Sequence, residues 1–273
     1  MNLNVITEIK KSKKYSNVYQ LLLERVCSEE SVKYKKDKDK IKAVKNRLHE
    51  IYGAFLSENS VKFAEDAINK NIEAIINYSY NNNIKSSENL LKLNTSSNER
   101  LSFISELYKF IFDAIHCEIN TILDIGCGFN PFSLPFMLEL TPKLNIKSYY
   151  ALDIDVNLAE IINKYFDLLK LPKYAGCIDL ISETPPQKAD VAFLFKMIPT
   201  IETCKKGRGF EIINNLDVKY IAVSFPTKTL CGKDKGMADH YAAFFENSLD
   251  SVKFEMTGKS IFMNELVYVL KKF

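Results

Sequence analysis

The chain has 273 residues, 47% of them apolar, and a net charge of +3. That apolar share excludes a disordered chain and can bury one large core, or one core with an appendage. No run is long enough to span a bilayer and the opening residues carry no apolar segment of the signal-peptide kind, so a soluble, cytoplasmic protein is expected.

The first 50 residues hold 13 Lys/Arg against 7 Asp/Glu, so the basic surplus is concentrated there. Lys10, Lys11, Lys13 and Lys14 form one cluster. In "SVKYKKDKDKIKAVKNRL", Lys33, Lys35, Lys36, Lys40 and Arg47 belong to a second, opposed only by Asp37 and Asp39. Such a block suits a polyanion, because neutralising phosphates releases counterions, or it is simply the solvated face of a helix. Ile41, Val44, Leu48, Ile51 and Phe55 recur at helical spacing and predict an amphipathic helix with the lysines on its other side. "SENSVKFAEDAINKNIEAIINYSY" predicts another helix, ending in the polar turn "NNNIKSS". "SSNERLSFISELYKFIFDAI" predicts a third, opened by a capping box of Ser96 and Glu99.

After residue 117 the texture changes. "TILDIG", "SYYALDID", "YAGCIDL", "DVAFLFKM" and "YIAVSFP" are short apolar runs alternating with helix-like segments such as "NLAEIINKYFDLLKL". That alternation implies right-handed βαβ units and a mainly parallel sheet. Two final strand-like runs around Thr257-Gly258 predict a closing hairpin and a mixed, seven-stranded, Rossmann-like sheet. The expected division is a helical domain over 1–117 and an α/β domain over 118–273.

The loop after the first strand of such a sheet lies at a ligand-binding switch point, and Gly126 and Gly128 let backbone approach a ligand there. Pro131 stands where a dinucleotide fingerprint needs its third glycine, and no Walker lysine follows. A nucleoside without phosphates fits better: Asp153 can accept from ribose hydroxyls, and Asp179 is placed for an adenine amino group. Order and spacing together describe S-adenosylmethionine in a class I methyltransferase. There is no Asn-Pro-Pro-aromatic turn for amino methylation and no Pro-Cys pair for cytosine C5 chemistry. An acceptor needing no deprotonation, such as guanine N7, is compatible with that lack. The six cysteines are scattered, the three histidines isolated, and no metal is expected.

"SKKYSNVY", "RLHEIYGAF", "SSNER", "ILDIGCGFNPFSLPFM", "LDID", "FKMIP", "VSFPTKTLCGKDKGM" and "NELVYVL" together make the chain resemble the aminoglycoside-resistance 16S rRNA (guanine-N7) methyltransferases, the Arm/Rmt group. The resemblance implies methylation of the guanine at nucleotide 1405, within an assembled 30S subunit, with the N-terminal helical domain docked on ribosomal RNA. It implies that Arg100 reaches the methionine carboxylate, with Asn94, Thr95 and Ser96 lining the same pocket. Gly126 and Gly128 would contact the cofactor's amino-acid part and Asp153 its ribose, with Asp179 and Leu180 framing the adenine. Phe195 and Lys196 would close the site near the reacting methyl group, Lys196 in a supporting role, and Phe55 would reach over from the N-terminal domain. Lys228, Lys233 and Lys235 join the expected RNA-binding set, and a monomer is expected. Met263 stands where the family usually has glycine, and Ala238 where it usually has an acid. The rival readings are methylation of a neighbouring nucleotide, such as an adenine at N1, and a ribosome-binding factor without catalysis.

Overall fold

"INTILDI" is buried at five of its seven positions because both of its faces are covered, as in parallel strands generally. It forms β1 (Ile119–Ile125), an interior strand of a seven-stranded sheet. The structure, a computed structural model, describes residues 3–51, 59–70, 72, 75, 80–140, 144–172, 174–227 and 236–273. Phe55, Lys228, Lys233 and Lys235 lie outside these residues.

The other strands are β2 (Leu144–Asp153), β3 (Ala175–Cys177), β4 (Ala189–Phe195), β5 (Val218–Pro226), β6 (Phe254–Phe262) and β7 (Glu265–Lys272). Their order is β3-β2-β1-β4-β5-β7-β6, with β1 to β5 parallel and β7 antiparallel to both neighbours. Asp124 on β1 faces Ala151 on β2 and Phe193 on β4. Strand order reverses between β1 and β4, so a crevice opens beyond their carboxyl ends.

The helices are α1 (Leu3–Lys10), α2 (Gln20–Ser31), α3 (Asp37–Ile51), α4 (Ser60–Lys70), α5 (Tyr80–Leu91), α6 (Thr95–Arg100), α7 (Ile104–Asp113), α8 (Leu134–Leu140), α9 (Val156–Leu168), α10 (Met197–Cys204), α11 (Arg208–Asn215) and α12 (Met237–Ser248). Val5, Ile9, Leu22, Leu23, Val26, Val44 and Leu48 give α1 to α3 a core of their own. From α4 onward the helices share the core of the sheet: Ile68, Leu91, Leu107 and Ile111 pack in one cluster with Ile122, Phe132 and Phe193. The opposite face buries Leu123, Ile125 and Leu194 with Ile198, Ile212 and Phe245. The α1–α3 unit joins the sheet at the carboxyl end of β2 through backbone: Tyr19 N–H donates to Ile154 O at 2.9 Å and Val156 N–H to Asn17 O at 2.9 Å.

Three expectations of the sequence differ from the structure. "NNNIKSS" lies inside α5 and is not a turn, because burial of Ser86, Ser87, Leu90 and Leu91 overrides weak helix propensity. The helix expected from Ser96 begins at Thr95, and its cap is Asn94, whose carboxamide accepts from Ser97 N at 3.2 Å. It is then interrupted by a 3₁₀ turn at Leu101–Phe103, where Phe103 leaves helical geometry at φ −136°, ψ 17°. The closing hairpin turns at Met263-Asn264, between Phe262 and Glu265. Thr257-Gly258 sits within β6 at a register shift. A Cβ at Gly258 would come within 3.0 Å of Phe110 Cζ, so the glycine marks a close approach of helix to strand. Met263 has φ +45°, which explains why glycine suits that turn position.

Candidate active site

The two glycines of "DIGCG" have left-handed backbone, φ +64° at Gly126 and +49° at Gly128. A Cβ on Gly126 would lie 2.3 Å from Met197 Sδ, whereas one on Gly128 would meet nothing within 4 Å. The loop is anchored to β2: Gly126 N and Cys127 N donate to Leu152 O at 2.8 and 3.0 Å, and Gly128 N to Asp153 Oδ2 at 2.8 Å. A buried network supports it from behind. Asp124 Oδ2 accepts from Asn130 Nδ2 at 2.9 Å and from Tyr149 OH at 2.7 Å, while Tyr108 OH donates to Asn130 Oδ1 at 2.7 Å. Burial pushes the Asp124 carboxyl up to about 7, against the pull of those hydrogen bonds.

"LDID" contains two acids with different tasks. Asp155 caps α9, accepting from Leu158 N at 2.8 Å. Asp153, two residues earlier, is left facing the crevice at the end of β2, its oxygens accepting from Gly128 N and Ile154 N. Burial raises its carboxyl above the usual range and these backbone donors pull it back.

At the far wall, Arg100 is buried and carries its guanidinium 4.6 Å from the Phe195 ring centre, a cation–π contact. Its Nε and Nη2 donate to Glu265 at 2.8–3.1 Å. Lys196 has φ +58°; its N–H donates to Ser224 O and Oγ, both at 3.0 Å, and its Nζ to Glu99 at 2.8 Å. Lys196 thus forms an ion pair at the end of β4, and the same side chain lines the cavity.

The remaining wall comes from both parts of the chain. Asp179, just beyond β3, accepts from Arg25 of α2: Nε to Oδ2 at 2.5 Å and Nη2 to Oδ1 at 3.1 Å. Ile181 N and Ser182 Oγ also donate to it. Leu180 is buried, and its carbonyl accepts from Arg208 Nε at 2.8 Å, which fixes the loop after β3. Leu22 and Arg25 of α2 and Ile51 of α3 complete a cavity of about 1120 Å³, solvent mouth included.

Asn94, Ser96, Arg100, Gly126, Gly128, Asp153, Asp179, Leu180, Phe195 and Lys196 all line this one cavity. Thr95 does not: it is exposed at the start of α6, and Ser97 lines the wall in its place. Sequence reasoning missed Asp124, Met197, Arg25 and Glu265. Asp124 carried a signal, being the acid of the glycine motif itself, and Glu265 a weaker one as part of "NELVYVL"; Arg25 carried none. Of the basic residues, Lys10, Lys11, Lys13, Lys33, Lys35 and Lys36 are exposed. Lys14, Lys40 and Arg47 are half-buried, Lys40 paired with Asp37 and Arg47 with Glu50. Among the described residues no group of three His, Cys, Asp or Glu could hold a metal, and no helix is long and apolar enough to cross a membrane.

A glycine turn without room for a Cβ, buried carboxylates at the ends of β1 and β2, and a cation at the far wall fit a ligand with an amino-acid end and a nucleoside end. The comparisons agree with that shape. The family model described as ribosomal RNA methyltransferase (FmrO) matches residues 11–269. A 16S rRNA (guanine(1405)-N(7))-methyltransferase of Serratia marcescens is 32% identical over 273 residues, covering 100% of this chain and 99% of that one. One of the same name from Micromonospora echinospora is 30% identical, covering 97% and 94%. The crystal structure of the 16S rRNA methyltransferase RmtF in complex with S-adenosyl-L-homocysteine superposes with a TM-score of 0.85 at 27% identity, covering 99% and 98%.

Proposed function

The chain belongs to the FmrO family of ribosomal RNA methyltransferases, and from that premise we propose that it methylates N7 of the decoding-site guanine, nucleotide 1405, of 16S rRNA and so confers aminoglycoside resistance. The observation that carries this reading is the convergence of ten residues, read from separate motifs, on one cavity at the switch point of the sheet.

Bound in that cavity, S-adenosylmethionine supplies an electrophilic methyl group on a sulfonium that leaves as a neutral thioether. The chain's own residues bind and orient. Arg100 holds the carboxylate end, and Asp124 and the Gly126–Gly128 backbone hold the amino-acid part. Asp153 holds the ribose hydroxyls. Asp179 and Leu180 frame the adenine, with Arg25 closing that end. Phe195 and Lys196 border the methyl end, where the target base enters. Guanine N7 presents a lone pair and no proton, so no general base is needed and orientation is the main contribution. The deep, narrow major groove of A-form RNA keeps N7 out of reach, so the guanine is extruded or its helix locally distorted.

The substrate in this reading is 16S rRNA within the 30S subunit, bound by a monomer. The α1–α3 unit docks on the RNA through Lys10, Lys11, Lys13, Lys14 and the Lys33–Arg47 segment, and Lys228, Lys233 and Lys235 belong to the same RNA-binding set. Phe55 joins the cofactor-binding set in this reading. Transfer of labelled methyl groups to 30S subunits, naked 16S RNA and 70S ribosomes tests this: label is expected in 30S alone. Label in none of the three would overturn the activity, and label in naked RNA would overturn the assembled-subunit requirement.

A further inference from the structure

Glu265, the first residue of β7, has 0% of its surface exposed. It follows the hairpin turn and pairs opposite Pro226 on β5 and Phe262 on β6. An ionised carboxylate at such a depth needs its lone pairs filled, and here the chain fills them. Arg100 Nε donates to both oxygens, at 3.1 and 2.9 Å, and Arg100 Nη2 to Oε1 at 2.8 Å. Ser224 Oγ donates to Oε1, and Lys196 Nζ stands 3.7 Å from Oε2. Fully buried behind Arg100 and not part of the cavity wall, the carboxylate does not face a ligand. What it does is fix the two cations on the cavity wall.

The fixing is directional. With Nε and Nη2 turned onto Glu265, the guanidinium plane is set against the Phe195 ring. Nη1 is then the one nitrogen of Arg100 without a hydrogen bond among the described residues, on a side chain that lines the cavity. The same carboxylate reaches Lys196 twice: through space to Nζ, and through Ser224, whose hydroxyl accepts from the Lys196 N–H. Burial opposes ionisation of Glu265, and Arg100 beside it holds the carboxyl below its usual value all the same. A buried ion pair is weak evidence for stability, since apolar residues of similar volume commonly replace one without loss. Its geometry here has another use.

We propose that Glu265 is the positioning residue of the methionine end of the site: it holds the Arg100 guanidinium so that Nη1 meets the cofactor carboxylate, and it steadies Lys196 beside the reacting methyl. The inference rests on the reading of the cavity as the S-adenosylmethionine site. Glu265 touches no substrate and acts through Arg100.

A double-mutant cycle on S-adenosylhomocysteine affinity, read by titration calorimetry, tests it. Glu265→Gln keeps the shape and removes the charge, and it weakens binding by roughly tenfold or more, as loss of a charge-assisted contact does. Arg100→Met weakens binding similarly. In the Arg100→Met background Glu265→Gln adds nothing further, because the residue through which it acts is gone. A structural role predicts a different pattern: melting temperature falls while the affinity of folded protein stays put. If Glu265→Gln does not fold, Ser224→Ala takes its place, removing one hydrogen bond to Glu265 without leaving a charge unpaired. It weakens binding about threefold in the native background and not at all beside Arg100→Met. Affinity within twofold of the native protein in the folded variant, or a loss that adds in full to that of Arg100→Met, overturns the inference alone. Failure of the native protein to bind S-adenosylhomocysteine overturns the reading of the cavity, and this inference with it.

Discussion

Gly126→Ala separates two costs that the glycine loop avoids. The backbone at Gly126 has φ +64°, where an L-residue costs roughly 1–2 kcal/mol. The new methyl would also lie 2.3 Å from Met197 Sδ and 2.6 Å from its Cγ and Cε. Met197 begins α10 and lines the cavity, so its thioether has to turn away, and the room available is the ligand's own. Gly128→Ala is the control: φ is +49°, and the added Cβ meets nothing within 4 Å. Both variants therefore lose about 1–2 kcal/mol in urea unfolding from backbone strain. Gly126→Ala alone carries the displaced thioether, and its S-adenosylhomocysteine affinity falls at least about tenfold further than that of Gly128→Ala, roughly 1.4 kcal/mol. Adding Met197→Ala to Gly126→Ala recovers the affinity difference but not the backbone strain. Native-like affinity in Gly126→Ala would refute the reasoning, since the collision would then have been absorbed outside the ligand's space.

The remaining predictions concern charge and turns. Asp124 titrates from the 3.8 of a free carboxyl to about 7 in the folded chain, raised chiefly by burial. Between those values the folded state binds the proton and the unfolded state does not, so this group's contribution to stability falls as pH rises through the window. Asp124→Asn should flatten that part of the stability–pH curve, and a slope identical to the native one would show that Asp124 does not titrate there. Met263→Gly relieves φ +45° at an exposed turn, and should stabilise the chain by about 1 kcal/mol, roughly 2–4 °C in melting temperature. No gain would mean that the turn carries no strain. Reversing Lys36, Lys40 and Arg47 to Glu should weaken 30S binding and flatten its logarithmic salt dependence by about 2–3, with S-adenosylhomocysteine affinity unchanged. Native 30S affinity at both low and high salt would leave the charge run a solvated face.

The parts of the site that were legible in the sequence are those encoded locally. A strand ending in Asp-Ile-Gly-Cys-Gly, and a second ending in Leu-Asp-Ile-Asp, carry backbone geometry and ligand chemistry within a few residues of each other. The sequence singles out Asp153 as the ribose acceptor, and the structure gives Asp155, two residues on, the separate task of capping α9. The pairings of Arg25 and Glu265 were invisible because their partners stand 154 and 165 positions away, and no local pattern marks such a pair. The polar stretch inside α5 was misread for a related reason: its helix is held by burial against the rest of the molecule, which composition does not report. The hairpin was assigned to the wrong residues because Thr257-Gly258 carries the stronger turn signal. That glycine answers to the nearness of Phe110, and the turn itself falls on a methionine.

The central claim, methylation of guanine N7 at one nucleotide, is tested most directly by strand scission. Ribosomal RNA from 30S subunits treated with the protein and S-adenosylmethionine is reduced with borohydride, cleaved with aniline and mapped by primer extension. N7-methylguanine alone breaks the strand under this treatment, so a single new break at nucleotide 1405 is predicted, absent with Asp153→Ala. Methyl incorporation without that break would place the methyl on another atom or another base and contradict the account.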